Sequence, residues 1–207
     1  MTAQFISIHP DNPQSRFVNL VCEILDQGKV AVLPTDSAYA LCCKTEQKQA
    51  IERIARIRQV DKYHNFTLLC RDLSELSTYA KVDNSVFRTL KHHTPGAYTF
   101  ILPATKEVPR RLMNEKRKTI GIRVPQNAIL EAIIDKLNEP LMSCSLILPG
   151  EEEALGDPVL INDTIGNLVD VIVDGGQLSV RPTSVIAFED GTPVVIREGA
   201  GDVSAFS

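Results

Sequence analysis

Apolar residues recur along the chain in two rhythms. Phe17, Val18, Leu20, Val21, Ile24 and Leu25 fall at the spacing of one helical face. Asn12 is suited to cap that helix, Pro13 to open it and Gly28 to stop it. "KVAVLP" and "AYALCCK" then read as two buried strands, and residues 46–57 return to helical spacing through Ile51, Ile54 and Ala55. Further strands are expected at "FTLLCRD", "AYTFILP", "TIGIRVP", "LMSCSLIL", "VDVIVDGG", "TSVIAF" and "PVVIREG". Helices are expected over Val82–His92, ending at "TPG", and near Asn127–Leu137 and Asp157–Asn167. Strands alternate with helices early and cluster late, which predicts an α/β fold with a mixed sheet flanked by helices. No repeat, linker or break in composition divides the chain.

Alternation within the strands sorts their side chains. In "TIGIRVP", Ile120, Ile122 and Val124 share one face, which leaves Thr119, Gly121 and Arg123 on the other. In "LMSCSLIL", Met142, Cys144, Leu146 and Leu148 face one way, and Ser143 and Ser145 the other. In "VVIRE", Val195 and Arg197 are expected on one face. A solvated sheet face accounts for such a pattern, but its usual lysine and glutamate are replaced here by short hydroxyls and arginines, which suit an anion. Arg56 and Arg58 stand two apart, so they point the same way only if the segment is extended just beyond its helix. The turn "PTDSAY" at residues 34–39 breaks an apolar run with small polar groups. It reads either as an ordinary turn or as one wall of a ligand site.

Composition narrows the class. With 207 residues, 43% hydrophobic and 23% charged, the chain suits one domain with a substantial core. No stretch approaches the roughly 18 apolar residues that span a membrane. "MTAQFISIHPDN" has neither a basic flank nor an apolar core, so no signal peptide and a cytoplasmic location are expected. Cys22, Cys42, Cys43, Cys70 and Cys144 form no CxxC pair, which reads as reduced thiols. The four histidines match no zinc spacing, so no metal site built from the protein alone is expected. Gly28-Lys29 is followed by valine, which excludes a Walker A loop, and no GxGxxG or GxSxG is present.

Charge is uneven. Between Lys106 and Arg123 lie seven basic and two acidic residues; set against the total of −4, that local +5 leaves −9 on the rest. A local anion site and a solvated basic loop both account for this run.

"LPTDSAYAL", "RIR", "TPGAYTFIL", "TIGIRVP", "SCSL", "RPTSVIAF" and "VVIREGAGD" stand in the order and spacing of the YrdC/YciO family, which the chain resembles through nearly its whole length. The resemblance implies a single YrdC-like domain over residues 1–207, with its core at about 13–200 and no C-terminal extension domain. It also implies a twisted mixed sheet with a basic concave face. It further implies threonylcarbamoyl-AMP synthase activity on ATP (with Mg²⁺, as substrate), threonine and bicarbonate, without a permanent cofactor and linked to tRNA modification. Double-stranded RNA or tRNA is implied as a partner.

Carried over by resemblance, Arg56 and Arg58 are the catalytic pair and bind nucleotide with Ser143, Ser145 and Arg197. Thr35, Tyr39, Arg123 and Ser184 hold threonine, with Asp36, Ser37, Thr119 and Thr183 in the same motifs. Arg56 stands where the family has lysine, Ser145 where it has asparagine, Gln59 for proline, Thr94 for tryptophan and Ala40 for glycine. These replacements and the basic run motivate a second reading, an RNA-binding module contacting phosphate through Arg110, Arg111, Lys116, Arg117 and Lys118.

Overall fold

A computed structural model describes residues 1–207. In chain order its elements are β1 (Gln4–Ser7), α1 (Ser15–Asp26), β2 (Ala31–Leu33), β3 (Ala40–Lys44), α2 (Lys48–Arg58), β4 (Thr67–Leu69), α3 (Leu73–Tyr79) and α4 (Asn84–His93). There follow β5 (Tyr98–Pro103), β6 (Thr119–Arg123), α5 (Ala128–Leu137), β7 (Leu141–Ser145), α6 (Pro158–Ile165), β8 (Val171–Asp174), β9 (Ser184–Glu189) and β10 (Thr192–Arg197). Asp72, Asp83, Asn127 and Asp157 cap α3, α4, α5 and α6 by accepting backbone N–H groups.

All ten strands join one mixed sheet in the order β1-β8-β2-β3-β7-β4-β6-β5-β9-β10. The α/β fold expected from the strand and helix rhythms is therefore found. One face of the sheet is covered along its length. Ile51 and Ile54 of α2, Leu76 of α3, Leu90 of α4 and Ile161 of α6 pack there against Leu41, Leu68, Phe100, Ile122 and Ile172.

The other face is covered only in part. α1 and α5 supply Val21, Leu25, Ile129 and Ile133 over Ala31, Leu33, Ala40, Cys42, Leu141 and Val171, and this cover ends at Leu69 of β4. Beyond it the same face continues with Thr67 opposite Gly121, Gly121 opposite Ile101, and Thr99 opposite Val185. Thr67, Thr99 and Val185 are half-buried rather than sealed. This uncovered half-sheet is where the polar strand positions gather.

Four local expectations are corrected. α1 begins at Ser15 after Gln14, not at Asn12 and Pro13. His9 Nδ1 accepts the N–H groups of Asp11 and Asn12, and Gln14 Oε1 accepts that of His9, so the segment closes into its own turn. β1 and α3 were not expected: β1 buries only Ile6 and α3 only Leu76, too little for a period to show. The α2 helix continues through Arg58, so Arg56 and Arg58 diverge around it rather than sharing an extended face. In β10 a bulge between Val195 and Arg197 shifts the register. Val195 consequently packs on the core, and Arg197 turns to the open side with Ile196.

Candidate functional site

A cavity of about 220 Å³ lies on the uncovered half-sheet. Thr67, Thr99 and Thr183 bring hydroxyls to it, Ser145 comes from the end of β7, and Arg58 and Arg197 enter from α2 and β10. Gly121 keeps the floor low: a Cβ there would lie 2.9 Å from Thr67 Oγ1 and 3.2 Å from Thr99 Cγ2. Thr99 and Thr183 share a hydrogen bond of 2.7 Å between their hydroxyls.

The guanidiniums are held firmly but incompletely. Arg58 Nη1 donates to the Ser145 carbonyl and to Cys144 Sγ at 2.8 Å. Arg197 donates through Nε and Nη2 to the Thr183 carbonyl at 3.1 and 2.8 Å. Arg123, 3% exposed, pairs through Nη2 with Asp36 Oδ1 at 2.7 Å. The Nε atoms of both Arg58 and Arg123 are buried and have no hydrogen-bond partner. Burial, followed by the charges of Arg123 and Arg58, lowers the pKa of Arg197. Three cations thus feel one another across a small space, and two of them keep an unused donor.

The turn at residues 34–39 is self-organised. Thr35 Oγ1 donates to the Ala38 carbonyl at 2.6 Å and accepts the Ser37 N–H at 3.0 Å. Asp36 accepts from Arg123 and from the Gln126 N–H at 2.8 Å, which ties the turn to the end of β6. Tyr39 is fully buried; its hydroxyl donates to the Gly176 carbonyl at 2.7 Å and accepts the Gly175 N–H at 3.0 Å. Burial pushes that phenol up to about 12. Ser184, also fully buried, accepts the Gly199 N–H at 2.9 Å and donates to the Gly201 carbonyl. Both hydroxyls therefore anchor loops.

The residues singled out from sequence are brought together unevenly. Arg58, Ser145 and Arg197 line the cavity. Ser143 is buried on the same face, opposite Cys42 and Thr67. Arg56 is exposed in the last turn of α2 and does not line the cavity. Lys106, Arg110 and Lys118 border a separate groove of about 560 Å³. Arg111 lies in another recess beside Lys48 and Lys62. Lys116 sits 4.9 Å above the Tyr63 ring. Asn114 shapes this loop, since its side chain accepts the Lys116 and Arg117 N–H groups and donates to the Tyr63 carbonyl.

Sequence reading missed His64, Asn65 and Cys144 as cavity residues. Cys144 Sγ lies 3.5 Å from His64 Nε2, a pair separated by 80 positions that no spacing rule reveals. Burial raises the Cys144 thiol to about 11 against the pull of Arg58, and burial with Arg58 lowers His64 to about 4. Near neutral pH both groups are uncharged.

An α/β protein with an arginine- and hydroxyl-lined recess on an open half-sheet is thereby defined. The chain belongs to the Sua5/YciO/YrdC family, whose model carries the description telomere recombination and matches residues 23–199. It is 59% identical to Escherichia coli (strain K12) YciO over 204 residues, 99% of each chain. A Haemophilus influenzae protein is 53% identical over 205 residues, again 99% of each. The crystal structure of E. coli YciO superposes with a TM-score of 0.96, covering 99% of this chain and 100% of that one. P. abyssi Sua5 complexed with L-threonine shares the fold at 21% identity and a TM-score of 0.85, over 94% of this chain and 57% of that one. No helix is long and apolar enough to cross a membrane.

Proposed function

We propose that the uncovered half-sheet carries a threonylcarbamoyl-AMP synthase-like reaction that supplies tRNA threonylcarbamoyladenosine modification. The observation that carries this reading is the convergence of Arg58, Arg123 and Arg197 with two buried guanidinium nitrogens unpartnered. Unpaired buried donors on cations call for an anion. Family membership and the likeness to a Sua5 structure holding threonine support the choice of substrates.

Threonine and bicarbonate give a carbamate with loss of water. A carbamate oxygen then attacks the α-phosphorus of ATP as the bond to pyrophosphate breaks. No protein nucleophile is required, so the site's task is to position ligands and to neutralise phosphate charge. Arg58 and Arg197 take the phosphates, with Ser145 beside them and Ser143 supporting the strand. Arg123, oriented by Asp36, takes the amino-acid carboxylate beside Thr35. Tyr39 and Ser184 fix the loops around that end. Mg²⁺ enters as part of the ATP substrate. At about 220 Å³ the cavity is smaller than a drug-sized ligand pocket of roughly 300–1,000 Å³, so it takes the phosphate and carbamate portion while the nucleoside lies over the open face.

Incubation with ATP, Mg²⁺, threonine and bicarbonate is expected to release pyrophosphate. Arg58→Ala is expected to reduce the rate on the order of 10²-fold, the scale of losing one charge-stabilising donor. Release that is absent, or unchanged in the variant, overturns this reading.

The groove bounded by Lys106, Arg110 and Lys118 supports a second role, phosphate contact with duplex RNA or tRNA. Such binding weakens steeply with salt, and neutralising one contacting lysine lowers the salt slope by about 1. Salt-independent RNA binding removes this role.

A further inference from the structure

Arg58 is a side chain with one edge tied down and another left free. Its Nη1 serves Cys144 Sγ and the Ser145 carbonyl, while Nε is buried with no partner. Nε and Nη2 form the side-on fork of a guanidinium, the edge that binds two oxygens of one phosphate. The sulfur is itself held. Cys144 is 4% exposed in the core and lies 3.5 Å from His64 Nε2. A thiol between a guanidinium and an imidazole accepts from the first and donates to the second, which fixes both partners.

We propose that Cys144 is a positioning residue: its sulfur orients Arg58 so that the Nε/Nη2 edge faces the cavity and receives two oxygens of a nucleotide phosphate. This inference rests on the assignment of Arg58 to the phosphates. Within "SCSL", the two serines carry the family motif and the cysteine between them faces the core. Its backbone position and its bond to Arg58 nevertheless make it the side chain that sets how the guanidinium is presented.

The test measures Mg·ATP binding by calorimetry, and thermal unfolding, for the full chain and three variants. Cys144→Ser keeps a group that can accept from Arg58 and donate to His64. Cys144→Val fills similar core volume without an acceptor. Arg58→Ala removes the guanidinium. The expected result is wild-type-like affinity, within about twofold, for Cys144→Ser. Affinity about tenfold weaker is expected for Cys144→Val, the scale of a charge-assisted hydrogen bond, with a larger loss for Arg58→Ala. The unfolding temperatures of the two cysteine variants should lie close together. Threonine affinity should not change in either cysteine variant.

If Arg58→Ala weakens ATP and both cysteine variants bind like wild type, the positioning role is wrong and the phosphate assignment stands. Equal losses in the serine and valine variants, or a loss in serine alone, also overturn it, because packing rather than an acceptor is then what matters. If Arg58→Ala binds ATP like wild type, the phosphate assignment itself fails, and the positioning role with it.

Discussion

The two halves of one sheet face have opposite chemistry. Under α1 and α5, strands β8, β2, β3 and β7 meet valine, leucine and isoleucine on both sides, and Val21, Leu25, Ile129 and Ile133 are wholly or almost wholly sealed. Past Leu69 the same face presents Thr67, Gly121, Thr99 and Arg123 in the corresponding positions, with no helix of that cluster above them. The first half stabilises the fold by burying apolar surface at roughly 25 cal/mol per Å². The second forgoes that gain, and keeps cations and hydroxyls with unfilled hydrogen bonds where a ligand can complete them. Asp36 and Arg123 mark the border between the halves, a buried pair joining the residue 34–39 turn to β6.

Substitutions can break this contrast in graded fashion. The largest effect is expected at the border. Asp36→Asn leaves Arg123 buried without a counter-charge, a change that costs about 3–5 kcal/mol. Denaturant unfolding should report that loss together with weaker threonine binding, because both halves depend on the pair. Ile133→Ala, beneath α5 in the covered half, should cost about 3 kcal/mol while nucleotide affinity stays unchanged in the folded protein. A coupled loss of affinity would contradict the division.

A third effect is read through pH. The unfolded chain protonates His64 near 6.5, whereas the folded protein holds it near 4 through burial and Arg58. Below 6.5 the unfolded state therefore binds more protons. The contribution is complete above pH 6.5 and stability falls as pH drops from 6.5 towards 4, by up to about 3 kcal/mol. His64→Gln should flatten that part of the pH–stability curve; an unaltered slope removes His64 as its source.

The smallest effect is expected at Gly121, where an added methyl meets Thr67 and Thr99. Gly121→Ala should cost about 1–2 kcal/mol through overpacking, yet weaken ATP binding by more than Ile133→Ala does. The reverse order would mean that the open half is not the ligand face.

Much of the architecture was legible because burial imposes periods. α5 and α1 bury four and five residues at helical spacing, and the all-apolar β2 stood out as a run. Alternation also placed Thr119, Gly121 and Arg123 opposite the core. What escaped detection lacks a period. β1 and α3 each commit a single residue to the interior. The bulge in β10 is a backbone event that reorients Arg197 without altering any apolar pattern. Arg56 and Arg58 part company because α2 stays helical through Arg58, and residues two apart on a helix point in different directions. The Cys144–His64–Arg58 cluster joins a strand, a loop and a helix end distant in the chain, so only the fold brings it together.

The most direct measurement is a crystal structure with a non-hydrolysable ATP analogue, Mg²⁺ and threonine bound. Phosphate oxygens are expected on Arg58 Nε and Nη2 and near Arg197, with the threonine carboxylate at Arg123 beside the residue 34–39 turn. A nucleotide seated instead in the groove of Lys106, Arg110 and Lys118, with the half-sheet cavity vacant, would contradict this assignment.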